Sequence, residues 1–213
     1  MNRSVARAGA VAGWIALAGI FGYHIGLQLA AGQRVSGTLD PVAIEAYYQH
    51  SIVATASVEQ FLVLIPVLVF VLALRQALLV NERARFLATL GLLFAVAEIP
   101  VILTEVSLQA ALVATAQSDG DVIPLFRYWD VLYNSGAYAL EAAYAVAFAL
   151  AMRDVAAFPR WMPKFGLLVG ALQLVNMTAI WVGLPDQATL VGNVAFAVWF
   201  AGGAIGLGRL ASH

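Results

Sequence analysis

Six apolar runs, each about 20 residues long, alternate with short polar stretches along the chain. They cover residues 8–31, 52–74, 86–110, 132–152, 164–183 and 188–208. Runs this long and this uniformly apolar predict membrane-spanning α-helices, because barrel strands are about half as long and alternate in polarity. Arg3 and Arg7 before the first run give it the look of a secretion signal. Its apolar part is too long for one, so it reads as a span. The expectation is an all-α, polytopic helical bundle with six transmembrane helices, folded as a single domain over residues 1–213.

The basic residues set the expected orientation. Arg3, Arg7, Arg75, Arg83, Arg85, Arg153, Arg160, Lys164 and Arg209 fall on one side of the alternating spans. Only Arg34 and Arg127 fall on the other. Both termini are therefore expected to be cytoplasmic. Two outer loops predict short amphipathic helices. One comes after Asp40-Pro41, an N-cap and a first-turn proline. The other is "DVIPLFRYWD", Asp121 to Asp130, whose Tyr128 and Trp129 suit an interfacial aromatic belt. Glycine pairs at a spacing of four (Gly9 and Gly13, Gly22 and Gly26, Gly166 and Gly170, Gly202 and Gly206) permit close helix contact.

Four spans break the apolar pattern with one polar stripe each. Glu98, Glu105 and Gln109 lie on one face of the third. Ser51, Thr55 and Glu59 repeat every four residues entering the second. Asp130, Asn134, Tyr138, Glu141 and Tyr144 keep helical spacing into the fourth. His24 and Gln28 do so in the first. Such stripes must turn away from lipid, and the economical packing gathers them around one interior. By residue depth, Glu98 and Glu141 fall near the midplane, and Glu59, Glu105 and His24 fall nearer the outer side. Asn176, Asn193 and Trp181 come from the fifth and sixth spans, where helix-to-helix hydrogen bonding is the plainer role for the two asparagines. Pro66 and Pro100 interrupt the second and third spans, and Pro100 frees a carbonyl close to Glu98.

Composition supports a membrane location. The chain is 62% hydrophobic and 11% charged, with a net charge of −1 and a mean hydropathy of +0.87. A soluble domain carries roughly twice that charged fraction. Near-neutral charge argues against a nucleic-acid partner. With no cysteine there is no disulfide, thiolate ligand or cysteine nucleophile. No phosphate loop or nucleotide fingerprint is present, so no cofactor is expected. A histidine–carboxylate metal site from His24 and the glutamates lacks any supporting spacing, and none is assigned. The spans hold four glutamates and, apart from Lys164 at the first position of the fifth, no lysine or arginine. Close-set anions at low dielectric repel, which favours keeping part of the set as neutral carboxylic acids able to donate a proton.

Three stretches resemble a known family: "VARAGAVAGWIALAGI", "YWDVLYNSGAYALEAAYAVAFALAM" and "FPRWMPKFGLLVGALQLV". They are similar to a bacterial six-helix membrane family, domain of unknown function 4386. The resemblance implies six spans and an inner-membrane location, and it brings no reaction. The helix after Pro41 and the density of buried glutamates depart from it.

Three functions fit the pattern. The first is a pocket for a lipophilic or amphipathic small molecule or lipid, with acid–base chemistry of an isomerase or cyclase kind open to it. Glu98, Glu141, Glu105 and His24 would carry protons. Glu59, Tyr138, Asn134, Asp130, Tyr144, Gln109, Gln28 and Trp181 would line the site. The second is a carrier or channel for protons or cations, against which stand the lack of an inverted repeat and of polar stepping stones toward the cytoplasm. The third is a non-catalytic assembly subunit that docks a protein partner through its outer segments.

Overall fold

A computed structural model describes residues 2–31, 40–153, 155–182 and 186–212. Within these, side chains are described outside 23–28, 30–31, 55–61, 179–182 and 186–188. Eight α-helices make up the described chain, with no strand among the described residues: α1 (Arg3–Ala31), α2 (Pro41–Tyr48), α3 (Ile52–Ala77), α4 (Glu82–Gln117), α5 (Ile123–Val131), α6 (Tyr138–Met152), α7 (Met162–Val182) and α8 (Asp186–Ser212). A π-helical segment, Leu132–Ala137, joins α5 to α6. Among the described residues, four stretches are long and apolar enough to cross a membrane: Arg3–Gly22, Glu82–Gln117, Ile123–Met152 and Thr189–Ser212. Leu62–Ala77 of α3 is a shorter apolar helix.

Helix starts obey local chemistry. Asp40 accepts a hydrogen bond from the Val42 N–H at 3.0 Å, with Pro41 supplying a first residue that needs no acceptor. Asn81 caps α4 by accepting from Ala84 N–H at 2.8 Å. Asp121 accepts from Ile123 N–H at 3.0 Å. The helix after Pro41 is thus where the sequence places it. The second amphipathic segment differs from the expectation. It continues through the π-helical segment into α6 instead of forming a separate loop helix.

The long helices close into a ring. α1 packs on α3, α3 on α4, α4 on α6, α6 on α7 and α7 on α8, and α8 returns to α1. Gly9 of α1 faces Ala73 of α3 and Leu207 of α8, and Gly206 faces Phe158 in the α6–α7 turn. The ends carrying Arg3, Arg7, Arg75, Arg153, Arg160 and Arg209 therefore meet at one end of the bundle, the arginine end. Outer faces remain apolar and exposed at Trp14, Leu62, Phe86, Leu93, Leu168 and Val191. That pattern suits a lipid surround and would be a liability in water.

Two apolar clusters hold the bundle. The larger runs toward the arginine end and includes Phe70, Leu74, Phe148, Met152, Trp199 and Phe200. Phe70 stacks on Phe200 with ring centroids 4.0 Å apart. The smaller gathers Ile44 and Tyr48 of α2, Leu112 and Ala116 of α4, and Phe126 and Trp129 of α5. Gln49 Nε2 fastens this cap by donating to the Ala116 carbonyl at 2.7 Å.

Glycines make the closest helix contacts possible. Gly9, Gly13, Gly166, Gly170, Gly202 and Gly206 each face a neighbouring element at short range, whereas Gly22 faces open space. Gly26 lies outside the described side chains. At Gly166 a Cβ would stand 2.7 Å from Trp199 Nε1 and would overlap Ala149. Gly166→Leu should lower the thermal midpoint of the detergent-solubilised protein, at a cost of about 1–2 kcal/mol from overpacking. An unchanged midpoint would contradict this packing.

Candidate functional site

Between the two apolar clusters lies a belt of polar side chains. α4 contributes Glu98, Glu105 and Gln109, at 6%, 1% and 4% exposure. Asp130 and Asn134 come from α5 and the π segment, Tyr138, Glu141 and Tyr144 from α6, and Gln173 and Asn176 from α7. α8 adds Asn193. All of these are buried except Glu141 and Asn193, which are half-buried. Pro100 sits on the exposed side of α4 and leaves the helix unbroken, with Thr104 donating to its carbonyl at 2.8 Å.

Three of the four glutamates converge. Glu98 lies within electrostatic reach of Glu141 and of Glu105, and Glu141 of Glu105. Tyr144 lies within electrostatic reach of Glu98 and Glu141. Among the described residues, no three acidic or histidine side chains draw close enough to share a metal ion. His24, Gln28, Glu59 and Trp181, also expected at this site, lie outside the described side chains.

The surroundings of the three acids differ. Glu141 Oε2 accepts from Gln173 Nε2 at 2.6 Å. Gln173 Oε1 accepts from Asn176 Nδ2 at 2.7 Å. Asn176 Nδ2 also reaches the Thr189 carbonyl at 3.2 Å and Asn193 Oδ1 at 3.3 Å. Asn193 Nδ2 then donates to the Tyr138 hydroxyl at 3.3 Å. Tyr138 and Glu141 are one turn apart on α6, so this chain leaves α6, crosses α7 and α8, and returns to α6. It clasps three helices, the role expected of Asn176 and Asn193. α8 comes near enough because residue 192 is glycine: a Cβ there would lie 2.9 Å from Asn176 Cγ. Glu98 has no comparable support, since no described residue donates a hydrogen bond to it.

The fourth polar stripe needs a correction. Straight helical spacing puts Asp130, Asn134, Tyr138 and Glu141 on one face. The π-helical segment widens the turn by one residue and rotates α6 relative to α5 by roughly 100°. Asn134 Nδ2 turns back to the Asp130 carbonyl at 2.8 Å and to Asp130 Oδ1 at 2.9 Å. Tyr138 bonds toward α8 and Glu141 toward α7. One stripe thus serves two directions. Trp129 stacks on Tyr133 and packs beside Tyr48 above it.

Gln173 is absent from the sequence-based candidates, yet it is fully buried and holds Glu141. Gly166, Gly170, Gln173 and Asn176 have a 4–3–3 spacing, which marks one face of α7 as the buried one.

Fold and belt together define an all-helical bundle, with helices able to cross a membrane and an acidic polar layer inside. Compared with models of known families, with curated proteins and with solved structures, the chain gives no match.

Proposed function

We propose that the protein is a six-span bacterial inner-membrane protein that binds a lipophilic or amphipathic small molecule at Glu98, Glu105, Glu141 and Tyr144. Both termini would be cytoplasmic, with the arginine end inward. The supporting observation is Glu98. A carboxyl group 6% exposed, facing two other acids and receiving no hydrogen bond from a described residue, calls for an occupant. Leaving a buried polar group unpaired costs about 1–3 kcal/mol by protein mutational data. A ligand carrying a polar group or polarisable double bond meets that need.

The arrangement suits acid–base chemistry on a polyene. Glu98, as a neutral carboxylic acid, gives its proton to one carbon of a double bond. Glu105 or Glu141, as carboxylate, removes a proton from a neighbouring carbon, so the double bond moves and no proton is gained or lost overall. The faces of Tyr144, Phe196 and Trp199, with adjacent centroids 5.7–6.5 Å apart, stabilise the transient positive charge. A closed pocket suits the geometry better than a channel. Between this belt and the arginine end lie the apolar side chains of the larger cluster, including Phe148, Met152 and Phe158.

Native mass spectrometry of the protein extracted gently from its own membranes tests the binding. The expected result is a bound organic molecule, released intact by solvent and identified in the extract. Protein that carries no such molecule, and takes up none from a total lipid extract, overturns the reading.

A further inference from the structure

A groove lies at the arginine end, away from the glutamates. Arg3, Arg7, Val11 and Ile15 repeat every four residues and form one stripe along α1. Facing them, α3 presents Ile65, Pro66 and Val69. Between the two helices runs an open groove of about 900 Å³, within the range of roughly 300–1,000 Å³ usual for small-molecule sites. Its floor is kept open by the small side chains of Ala8 and Ala12. Val11, Ile15 and Ile65 are each more than half exposed on its walls. Pro66 puts a ring on the α3 wall where no backbone N–H exists to return to the preceding turn.

Polarity is graded along this groove. Arg3, Ser4 and Arg7 stand at one end, and from Val11 onward the walls are apolar. From Arg3 to Ile15 the stripe rises by about 18 Å, at ~1.5 Å per residue. An amphipathic molecule with an anionic head and a long hydrocarbon tail matches this gradient. Other occupants match it less well. A protein helix would leave the two guanidinium groups facing its apolar side, and a free phosphate would leave the apolar walls uncovered.

We propose that this groove is a binding site for one anionic phospholipid of the membrane leaflet at the arginine end. Its phosphate sits between Arg3 and Arg7, and an acyl chain lies along Val11, Ile15, Ile65 and Val69. Arginine suits the role because its planar donor fork pairs with two phosphate oxygens at once. The proposal rests on the membrane location alone and is independent of the acidic cluster.

The test titrates dioleoyl-phosphatidylglycerol and dioleoyl-phosphatidylcholine into the detergent-solubilised full chain and counts bound lipid by native mass spectrometry. Wild type should hold one phosphatidylglycerol about tenfold more tightly than phosphatidylcholine. The double variant R3Q/R7Q should lose that preference. Ala8→Trp fills the floor without changing charge and should weaken both lipids about tenfold. R83Q/R85Q removes two arginines from the same end but outside the groove, and should leave binding within about twofold of wild type. Equal affinity of wild type for the two lipids overturns the proposal. So does wild-type binding by R3Q/R7Q or by Ala8→Trp, or an equal loss in R83Q/R85Q.

Discussion

Replacing Glu98 with glutamine should abolish conversion of a bound polyene while leaving its binding nearly intact. Glutamine keeps the shape and the hydrogen-bonding reach of the carboxylic acid but cannot give up a proton on the timescale of a reaction. General acid–base participation accounts for about 10²- to 10⁴-fold in rate, and that factor should disappear. Affinity should change by only a few-fold, because glutamine matches glutamic acid in size. Stability should hold: glutamine replaces a carboxyl group that is already neutral, and no described residue loses a hydrogen bond by the change. That combination separates a reactive group from a structural one. The measurement is single-turnover conversion in reconstituted membranes, with product followed by chromatography, beside a melting curve. Wild-type turnover by Glu98→Gln would refute the chemical reading and leave the binding reading standing.

Gln173→Leu should cost about 2–3 kcal/mol of stability, with Glu141 bearing most of the loss. The glutamine is fully buried and bridges two partners, at 2.6 Å to Glu141 and 2.7 Å from Asn176. Asn176 keeps the Thr189 carbonyl and Asn193 as alternative acceptors. Glu141 keeps no described donor. Hydrogen bonds between membrane helices often measure below ~1 kcal/mol, since the unpacked helices find other partners. A carboxyl group stranded among two other acids lies above that average. In a chain of this size the thermal midpoint should fall on the order of 5–10 °C. The double variant Gln173→Leu with Glu141→Leu should recover most of the fall, because it removes both members of the pair and strands neither. A double variant no better than the single one would place the cost in packing instead.

How much of the molecule is legible in its sequence depends on range. Helix content and the Asp40-Pro41 start are legible because both are local: one rests on apolar run length, the other on an aspartate two residues before the N–H it accepts. Convergence of Glu98 and Glu105 with Glu141 is legible too, since lipid leaves buried acids only one direction to turn. The π-helical segment is not. Its "LYNSGA" contains nothing that forbids an ordinary α-helix, and Asn134 closing onto Asp130 is visible only once the turn has widened. The apolar pattern also understates α4 at both ends, for a related reason. "ATAQ" beyond residue 113 is too mild to read as membrane, yet Ala116 is fully buried against the α2–α5 cap. Gln173 escapes notice because a lone glutamine in an apolar helix carries no charge to force attention, although the glycines before it already mark its face.

The 36 residues of α4 make a rod of about 54 Å at ~1.5 Å per residue. The oily slab of a bilayer is only ~30 Å thick, and tilting a rod that long by even ~40° still leaves roughly 10 Å to spare. A helix crossing at such a length must stand proud of the slab. The cluster of Tyr48, Phe126 and Trp129 is built around the end of α4 that carries Leu112 and Ala116. Were α4 to cross with that end outermost, the height of the cluster would follow from the mast it is tied to, and not from the affinity of its own rings for the water boundary.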